Sequence, residues 1–226
     1  MASADDVPKK GDARDRLVVA TARLLAVHGP SAIKVRAVAA EAGLSTMAVY
    51  SHFGGVPELT RAVIEHGFIT LGTAFAGVPV TDDPVADLAT LALTCRRVAH
   101  DSPHLYDLMF GLSTRATYRP LLCESRPGAA TPAFGSAYAH ILNACRRLVE
   151  SGRVLHQDPT LVAAQLWSLV HGFITLELAD TFAVNEDPVW EVLMPLGINF
   201  AVGLGGTREE ATLSHERAAR AWVQVT

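Results

Sequence analysis

Cysteine is scarce in this chain of 226 residues, which has three: Cys95, Cys123 and Cys145. They are widely spaced, form no Cys-x-x-Cys pair and follow no signal peptide. A small secreted domain held by disulfides would instead have an even set of cysteines at short spacings. We therefore expect free thiols in a reducing cytoplasm.

Sequence motifs of the common enzyme classes are also missing. There is no His-Glu-x-x-His, no Gly-x-Ser-x-Gly and no phosphate loop, and the glycine-rich run 203–206 follows a predicted helix rather than a strand. His100 and His104 have the spacing of a metal pair, but Pro103 starts a new helix between them, so they need not share a face. We expect no catalytic residues, no metal site and no cofactor.

The sequence also lacks the patterns of β-strands and of membrane-spanning helices. No segment of strand length alternates apolar and polar residues. The longest apolar stretch, 189–206, contains Glu191, Pro195 and Asn199, which favours a buried interface helix over a lipid-facing span. The sequence predicts an all-α protein that does not enter the membrane.

One recurring sequence pattern marks the helix starts: a residue with a capping side chain directly before a proline. The capping residue suits the N-cap position, and the proline suits the first helical position. It occurs at Asp83, Ser102, Thr131, Asp158 and Asp187. The apolar runs that follow predict helices over 84–100, 103–116, 132–151, 159–180 and 188–204, with turns at 78–82, 126–130, 151–157 and 181–186.

Residues 31–66 have the pattern of a helix-turn-helix. A small apolar stripe is followed by Gly43, which permits the positive φ of a tight turn, and Leu44 closes the corner. Ser45 is placed to cap a second helix, about 46–52. Its inward residues would be Val49 and Phe53, and its free residues Thr46, Met47, Tyr50 and Ser51. In such motifs the second helix lies in the DNA major groove.

Charge is divided in a way that suits this interpretation. Residues 9–66 have eight basic and five acidic side chains, whereas residues 67–226 have eleven basic and sixteen acidic ones. The N-terminal part would therefore present positive potential to phosphates. A net charge of −4 argues against coating nucleic acid over the whole surface, but not against a specific binder.

The run 43–59 resembles the DNA-binding segment of the tetracycline-repressor (TetR) family of bacterial regulators. The shared pattern is a Gly, a Ser two residues on, Tyr-x-x-Phe and a Leu that starts the next helix. The first helix of that family also has a counterpart in Leu17, Thr21, Leu24, Leu25 and His28, ended by Gly29-Pro30. The resemblance covers residues 14–68 strongly and the rest in outline.

The resemblance implies a domain plan and partners. It implies a three-helix DNA-binding module over 13–55 and a larger helical domain for ligand binding and dimerisation over 56–226. Residues 1–12 would be a mobile arm, with a minor-groove arm as the alternative. The expected partners are double-stranded operator DNA, a small-molecule effector and a second copy of the chain, packed through helices about 159–180 and 188–204.

Two departures from the family pattern concern phosphate contacts. Val56 stands where such proteins usually carry Lys, while Lys34 replaces a common Thr and is followed by Arg36. We expect Thr46 and Met47 to touch base edges. The residues expected at phosphate are Lys34, Arg36, Tyr50 and His52, with Ser45 and Ser51 on the same DNA-facing surface. The alternative function is a dimeric binding or scaffold protein with weakened DNA reading, which Val56 favours.

The effector site is predicted from aromatic residues in the larger domain. The candidates are Tyr106, Met109, Phe110, Phe134, Tyr138, Trp167 and His171. Trp167, His171 and Gly172 also resemble the Trp-x-x-x-His-Gly signature of one TetR subgroup, and the first two share a helix face. Each of these residues has an alternative interpretation as plain core, with His171 hydrogen-bonded beside a packed Trp. The function that this sequence predicts is a repressor released from a palindromic operator by a mostly apolar small molecule.

Overall fold

The computed structural model describes residues 13–110 and 131–223, and every regular element within these ranges is a helix. The α-helices are α1 Ala13–His28, α2 Val35–Ala42, α3 Thr46–Phe53, α4 Val56–Ala76, α5 Pro84–Asp101, α6 Pro103–Phe110, α7 Pro132–Glu150, α8 Pro159–Leu178, α9 Met194–Gly203 and α10 Arg208–Val223. A 3-10 turn, Pro30–Ala32, follows α1, and a π-helical turn, Val189–Leu193, precedes α9. The all-α prediction is confirmed.

Helices α1 to α3 form a small module around fully buried Leu17, Val38 and Val49. Gly43 ends α2 in the left-handed region, with φ 61°, as the turn pattern predicts. Ser45 occupies the N-cap position of α3, but its side chain makes no capping hydrogen bond, so that part of the prediction is wrong. The N-terminus of α3 is instead connected to the turn through the backbone, where Ala48 N donates to the Ser45 carbonyl at 3.0 Å.

Helix α4 connects this module to the larger domain. Its buried face includes Leu59 and Val63 near the module and Phe68, Leu71 and Phe75 further along. It packs on α1 and α3 at one end and on α5, α6 and α7 at the other. Helix α4 is therefore a single continuous element through which a movement in the larger domain can reach the N-terminal module.

Four of the five predicted caps form in the larger domain, whereas Ser102 contributes only its backbone carbonyl, which accepts from Tyr106 N at 3.0 Å. Asp83 accepts from Ala86 N, Thr131 from Phe134 N, Asp158 from Thr160 N, and Asp187 from Val189 N and Trp190 N. The helix predicted over 103–116 is present as α6, and its remainder lies outside the described residues, as do the turn predicted at 126–130 and the arm at 1–12. The helix predicted over 188–204 is divided into the π-helical turn and α9.

Helix α10 was not predicted, and it closes the larger domain against α5 and α9. Its inward face consists of small or polar residues, namely Ala211, Ser214, His215, Ala218 and Ala219. Ser214 Oγ donates to both carboxylate oxygens of Asp83, at 3.0 and 2.8 Å, and Arg153 and Arg217 pair with the same carboxylate. A polar anchor rather than an apolar stripe therefore holds this helix.

Candidate nucleic-acid interface and effector site

The second helix of the turn motif presents a continuous exposed face. The side chains of Val49 and Phe53, 0% and 7% exposed, hold α3 against the core of the module. On the opposite side, Met47 and Tyr50 are 68% and 51% exposed. The remaining predicted contact residues are also exposed: Lys34, Arg36, Ser45, Thr46, Ser51 and His52. All eight predicted DNA-facing residues thus lie on the solvent side of α2, α3 and the turn between them.

Two arginines of α1 support this face, and neither was predicted from the sequence. Arg16 donates to the carbonyls of Ala42 and Gly43, at 2.6 and 3.4 Å, and so holds the turn between α2 and α3. The guanidinium of Arg14 lies 5.1 Å from the centre of the Phe53 ring. Their basic character was visible in the sequence, but the pairing depends on how α1 crosses the motif.

Aromatic side chains from three helices meet in the larger domain. A chain of ring contacts, with centroids 4.1 to 6.1 Å apart, connects Phe110 of α6, Phe134 and Tyr138 of α7, and Trp167 and His171 of α8. We call these five residues, together with Tyr106, the aromatic cluster. The structure thus brings together six of the seven predicted effector residues, and Met109 lies one turn away against Gly67 of α4.

Tyr106 and His171 form a hydrogen-bonded pair at the centre of this cluster. Tyr106 is 3% exposed, and its hydroxyl is hydrogen-bonded to the Nδ1 atom of His171. Either group can be the donor, because a tyrosine hydroxyl and a neutral imidazole nitrogen can each donate or accept. The other ring nitrogen, Nε2, is fully buried and has no hydrogen-bond partner among the described residues.

Burial fixes the charge states of these groups. It lowers the pKa of His171 from 6.5 to about 3, so the imidazole is neutral at pH 7. Burial also raises the pKa of Tyr106, chiefly by desolvation of the phenolate. The cluster therefore contains an uncharged, unpaired imidazole nitrogen in an apolar surrounding, where an unmet hydrogen-bonding group costs about 1–3 kcal/mol.

Helix α6 contacts both parts of the molecule. Met109 and Leu105 of α6 lie over Gly67, where an added Cβ would come within 2.5 Å of the Met109 sulfur. His104 lies against Gly29 at the end of α1, 3.6 Å from the position of a Cβ there. Tyr106 and Met109 also line a cleft with Gly67, Thr70, Val98, Asp101, Ser102 and Leu105.

The histidine pair considered for metal binding is separated in the fold. His100 Nε2 bonds the Glu177 carboxylate at 2.8 Å, beside Arg96 at 2.8 Å, whereas His104 faces Gly29. Burial alone would raise the pKa of Glu177, but its hydrogen bonds to Arg96 and His100 lower it overall. Across residues 13–110 and 131–223, no three His, Cys, Asp or Glu side chains form a metal-binding group.

The cysteines of the larger domain are buried thiols. Cys95 and Cys145 are free and 2% and 0% exposed, and burial raises the pKa of each to about 12. Such thiols are protonated at pH 7 and lack the thiolate that redox chemistry requires. Cys123 lies outside the described residues.

The exposed face of α8 and of the segment 189–203 is apolar. Leu161, Leu176 and Trp190 are 61%, 48% and 51% exposed, and Leu196 is 36% exposed. By length and composition α8 is the one described helix that could span a membrane, with 33% of its most apolar window buried. One such helix is weak evidence for a membrane span, because the core helix of a soluble protein passes the same test of length and composition.

An α3 that faces solvent and packs on α1 and α2, with α4 connecting this module to a larger helical domain, is the arrangement of a helix-turn-helix DNA-binding regulator. A sequence profile described as "Bacterial regulatory proteins, tetR family" matches residues 17–63. A second profile, "Tetracyclin repressor-like, C-terminal domain", matches residues 88–195. The chain belongs to the TetR family of transcriptional regulators. Its members bind operator DNA and small-molecule ligands and form dimers.

Solved structures share this fold at low sequence identity. A protein with unknown function from Rhodococcus sp. RHA1 is 24% identical, with 88% of this chain and 99% of that chain covered and a TM-score of 0.69. RolR in complex with resorcinol is 19% identical, with 91% and 93% covered and a TM-score of 0.61. The multidrug binding protein EbrR complexed with imidazole is 17% identical, with 96% of each chain covered and a TM-score of 0.51. No curated protein sequence matches this chain significantly.

Proposed function

We propose that this regulator is a homodimeric repressor that binds a palindromic operator and is released by a small, mostly apolar molecule. The observation that carries the DNA-binding part is the exposure of Met47 and Tyr50 on a helix anchored by Val49 and Phe53. Such a helix can enter the major groove without unfolding its base. The RolR and EbrR structures, each solved with a small molecule, support the effector part by analogy.

The proposed DNA contacts divide into two kinds. Thr46 and Met47, at the N-terminus of α3, read base edges, while Lys34, Arg36, Tyr50 and His52 touch phosphates. Ser45 lies beside Thr46 on the same face. Ser51 Oγ donates to the Ala48 carbonyl at 3.1 Å, so it is partly engaged within α3. Arg36 at phosphate compensates for Val56, which cannot make the contact that Lys makes in other members.

Selection from a random DNA pool tests this division. Wild-type protein should retain a pseudo-palindrome with half-sites about one helical turn, 34–36 Å, or a multiple of it apart. Met47→Ala should change the preference at one or two base pairs. Arg36→Ala should weaken binding to all sequences and reduce the salt slope by about one. Arg146→Ala, exposed in the larger domain next to Asn143, is the matched control. A pool that retains no sequence would favour the scaffold alternative.

The proposed dimer interface is the exposed apolar face of α8 and the 189–203 segment. Leu161 and Leu176 lie on α8, and an added Cβ at Gly172 would meet nothing within 4 Å. This open stripe permits close approach of a partner helix. Leu161→Glu with Leu176→Glu should give monomers in sedimentation, while Val27→Glu, at 72% exposure on α1 of the N-terminal module, should leave the dimer intact. Dimers in both variants would refute the interface.

The proposed effector site is the aromatic cluster. An effector that displaces or bonds the Tyr106 and His171 pair would shift α6, which touches Gly67 of α4 and Gly29 after α1. Coupling of this kind is reciprocal, so operator DNA should weaken effector binding by the same factor, typically about 5–150-fold. Tyr138→Phe and Tyr106→Phe should reduce effector affinity and spare operator binding in its absence. Loss of operator binding in either variant would contradict this assignment.

A further inference from the structure

The first three residues of α3 include no buried side chain. The buried residues of this helix are Val49 and Phe53, further along, whereas Thr46 and Met47 at its start are exposed. Ser45 at the N-cap makes no side-chain hydrogen bond. The placement of the residues proposed to read bases therefore depends on the turn that precedes them.

That turn is closed partly by its own backbone. Gly43 N donates to the Ala40 carbonyl at 3.0 Å, and Leu44 N donates to the Ala39 carbonyl at 2.8 Å. A helix leaves its last four carbonyls without intrahelical donors, so the carbonyls at the very end of α2 need donors from elsewhere. The Ala42 carbonyl, the last of α2, is bonded from α1.

Arg16 of α1 supplies the donor for this carbonyl. Its guanidinium donates to the Ala42 carbonyl at 2.6 Å and to the Gly43 carbonyl at 3.4 Å, so one cation joins α1 to the turn. A guanidinium donates only, and a positive charge at the C-terminus of a helix also complements the helix dipole. Gly43 leaves room for it, since an added Cβ there would lie 3.3 Å from Nη2 of Arg16.

We propose that Arg16 is a positioning residue for operator recognition, which holds the turn and thereby the start of α3 in the orientation that reads bases. It acts through carbonyls of its own chain and not through the phosphates of DNA. Its loss should therefore reduce sequence discrimination and leave the electrostatic part of binding in place. The inference rests on the proposed reading of bases by Thr46 and Met47, which the selection with wild-type protein tests separately.

The experiment compares two duplexes of equal length: the site that wild-type protein selects from a random pool, and a random-sequence duplex. Arg16→Met keeps the apolar stem and removes the donors. It should bind the selected site about tenfold more weakly and the random duplex with unchanged affinity. Its salt dependence should keep the wild-type slope, whereas Arg36→Ala, at a proposed phosphate contact, should lower the slope by about one. Arg23→Met, exposed on the same helix, is the matched control and should keep the ratio of the two affinities.

The ratio of the two affinities separates positioning from a simple loss of fold. Partial unfolding reduces the apparent affinity for both duplexes by the same factor, so it leaves their ratio unchanged. Arg16→Lys keeps the charge but replaces the planar fork by a compact ammonium, and it should lower the ratio by a smaller factor than Arg16→Met. Should Arg16→Met fail to fold, a lowered ratio in Arg16→Lys supports the inference and an unchanged ratio refutes it.

Two results would overturn the inference while leaving the proposed function in place. One is an unchanged affinity ratio in folded Arg16→Met. The other is an equal loss of affinity for both duplexes with a slope lower by about one, which would make Arg16 a phosphate contact. A wild-type protein that selects no sequence would instead refute the proposed function, and this inference with it.

Discussion

Replacing His171 with glutamine should change the pH dependence of folding stability more than stability at neutral pH. Burial in the aromatic cluster lowers the pKa of His171 to about 3, whereas the unfolded chain has the ordinary value of 6.5. Between these values the unfolded chain binds a proton that the folded chain does not. Acidification through this window therefore favours unfolding of the wild-type protein.

The expected magnitude follows from the pKa difference. Each pH unit inside the window costs the wild-type protein about 1.36 kcal/mol. From pH 6.5, where the unfolded histidine is half protonated, to pH 4.5 it should lose about 2.3 kcal/mol that the His171→Gln variant does not lose. That is a large part of the total stability of a typical domain, about 5–15 kcal/mol.

At pH 7 the imidazole is neutral in both states, so the variant should be less stable there, by about 1–2 kcal/mol from lost ring packing. As the pH falls, the wild-type protein and His171→Gln should reach equal unfolding free energy between about pH 5 and 6, and below that range the variant should be the more stable. Urea denaturation of both proteins from pH 7.5 to 4.5 measures this difference. Protein concentration must be held constant, because dimerisation contributes to stability.

Tyr106→Phe is the matched control. It removes the hydroxyl that bonds His171 but keeps the buried imidazole, so its stability should fall with pH in parallel with the wild-type protein. Parallel curves for the wild-type protein and His171→Gln would show that His171 titrates alike in both states. That result would refute the argument from burial.

Three further substitutions test the fold around the two sites. Gly43→Ala should destabilise the protein by about 1–2 kcal/mol, because φ 61° strains any residue with a Cβ. Asp83→Asn should cost about 2–4 kcal/mol in urea denaturation, because it breaks the ion pairs that the buried Asp83 carboxylate makes with Arg153 and the more exposed Arg217. The bonds to Asp83 outweigh its burial and lower its pKa, so its stabilisation should be lost as pH falls below about 3.8. Gly67→Ala should shift α6 by crowding Met109 and weaken operator binding.

Each of these has its own control. Asp82→Asn changes an exposed neighbour of Asp83 and should stay within about 0.5 kcal/mol of the wild-type protein. Met109→Ala should relieve Gly67→Ala in the double variant, and failure to do so would mean that crowding is not the cause. Unchanged stability of Gly43→Ala would contradict the strained turn.

Much of the fold was predictable because its signals are local. A cap before proline, a glycine at a turn and an apolar stripe at helical spacing act within about one helical turn of sequence. Gly43, the caps at Asp83, Thr131, Asp158 and Asp187, and the inward Val49 and Phe53 all follow from such short-range patterns. Helix α10 was not predicted, because the polar residues Ser214 and His215 occupy buried positions where an apolar stripe would have marked the helix.

The sites depend on contacts that are distant in sequence, so only the tertiary structure decided them. Tyr106 and His171 were each visible as candidates, but their hydrogen bond joins residues 65 positions apart. The bond from Arg16 to the Ala42 carbonyl spans 26 positions. Sequence periodicity identifies which face of a helix is buried. Which neighbour that face meets, and whether space remains between them, is set by how the helices pack together.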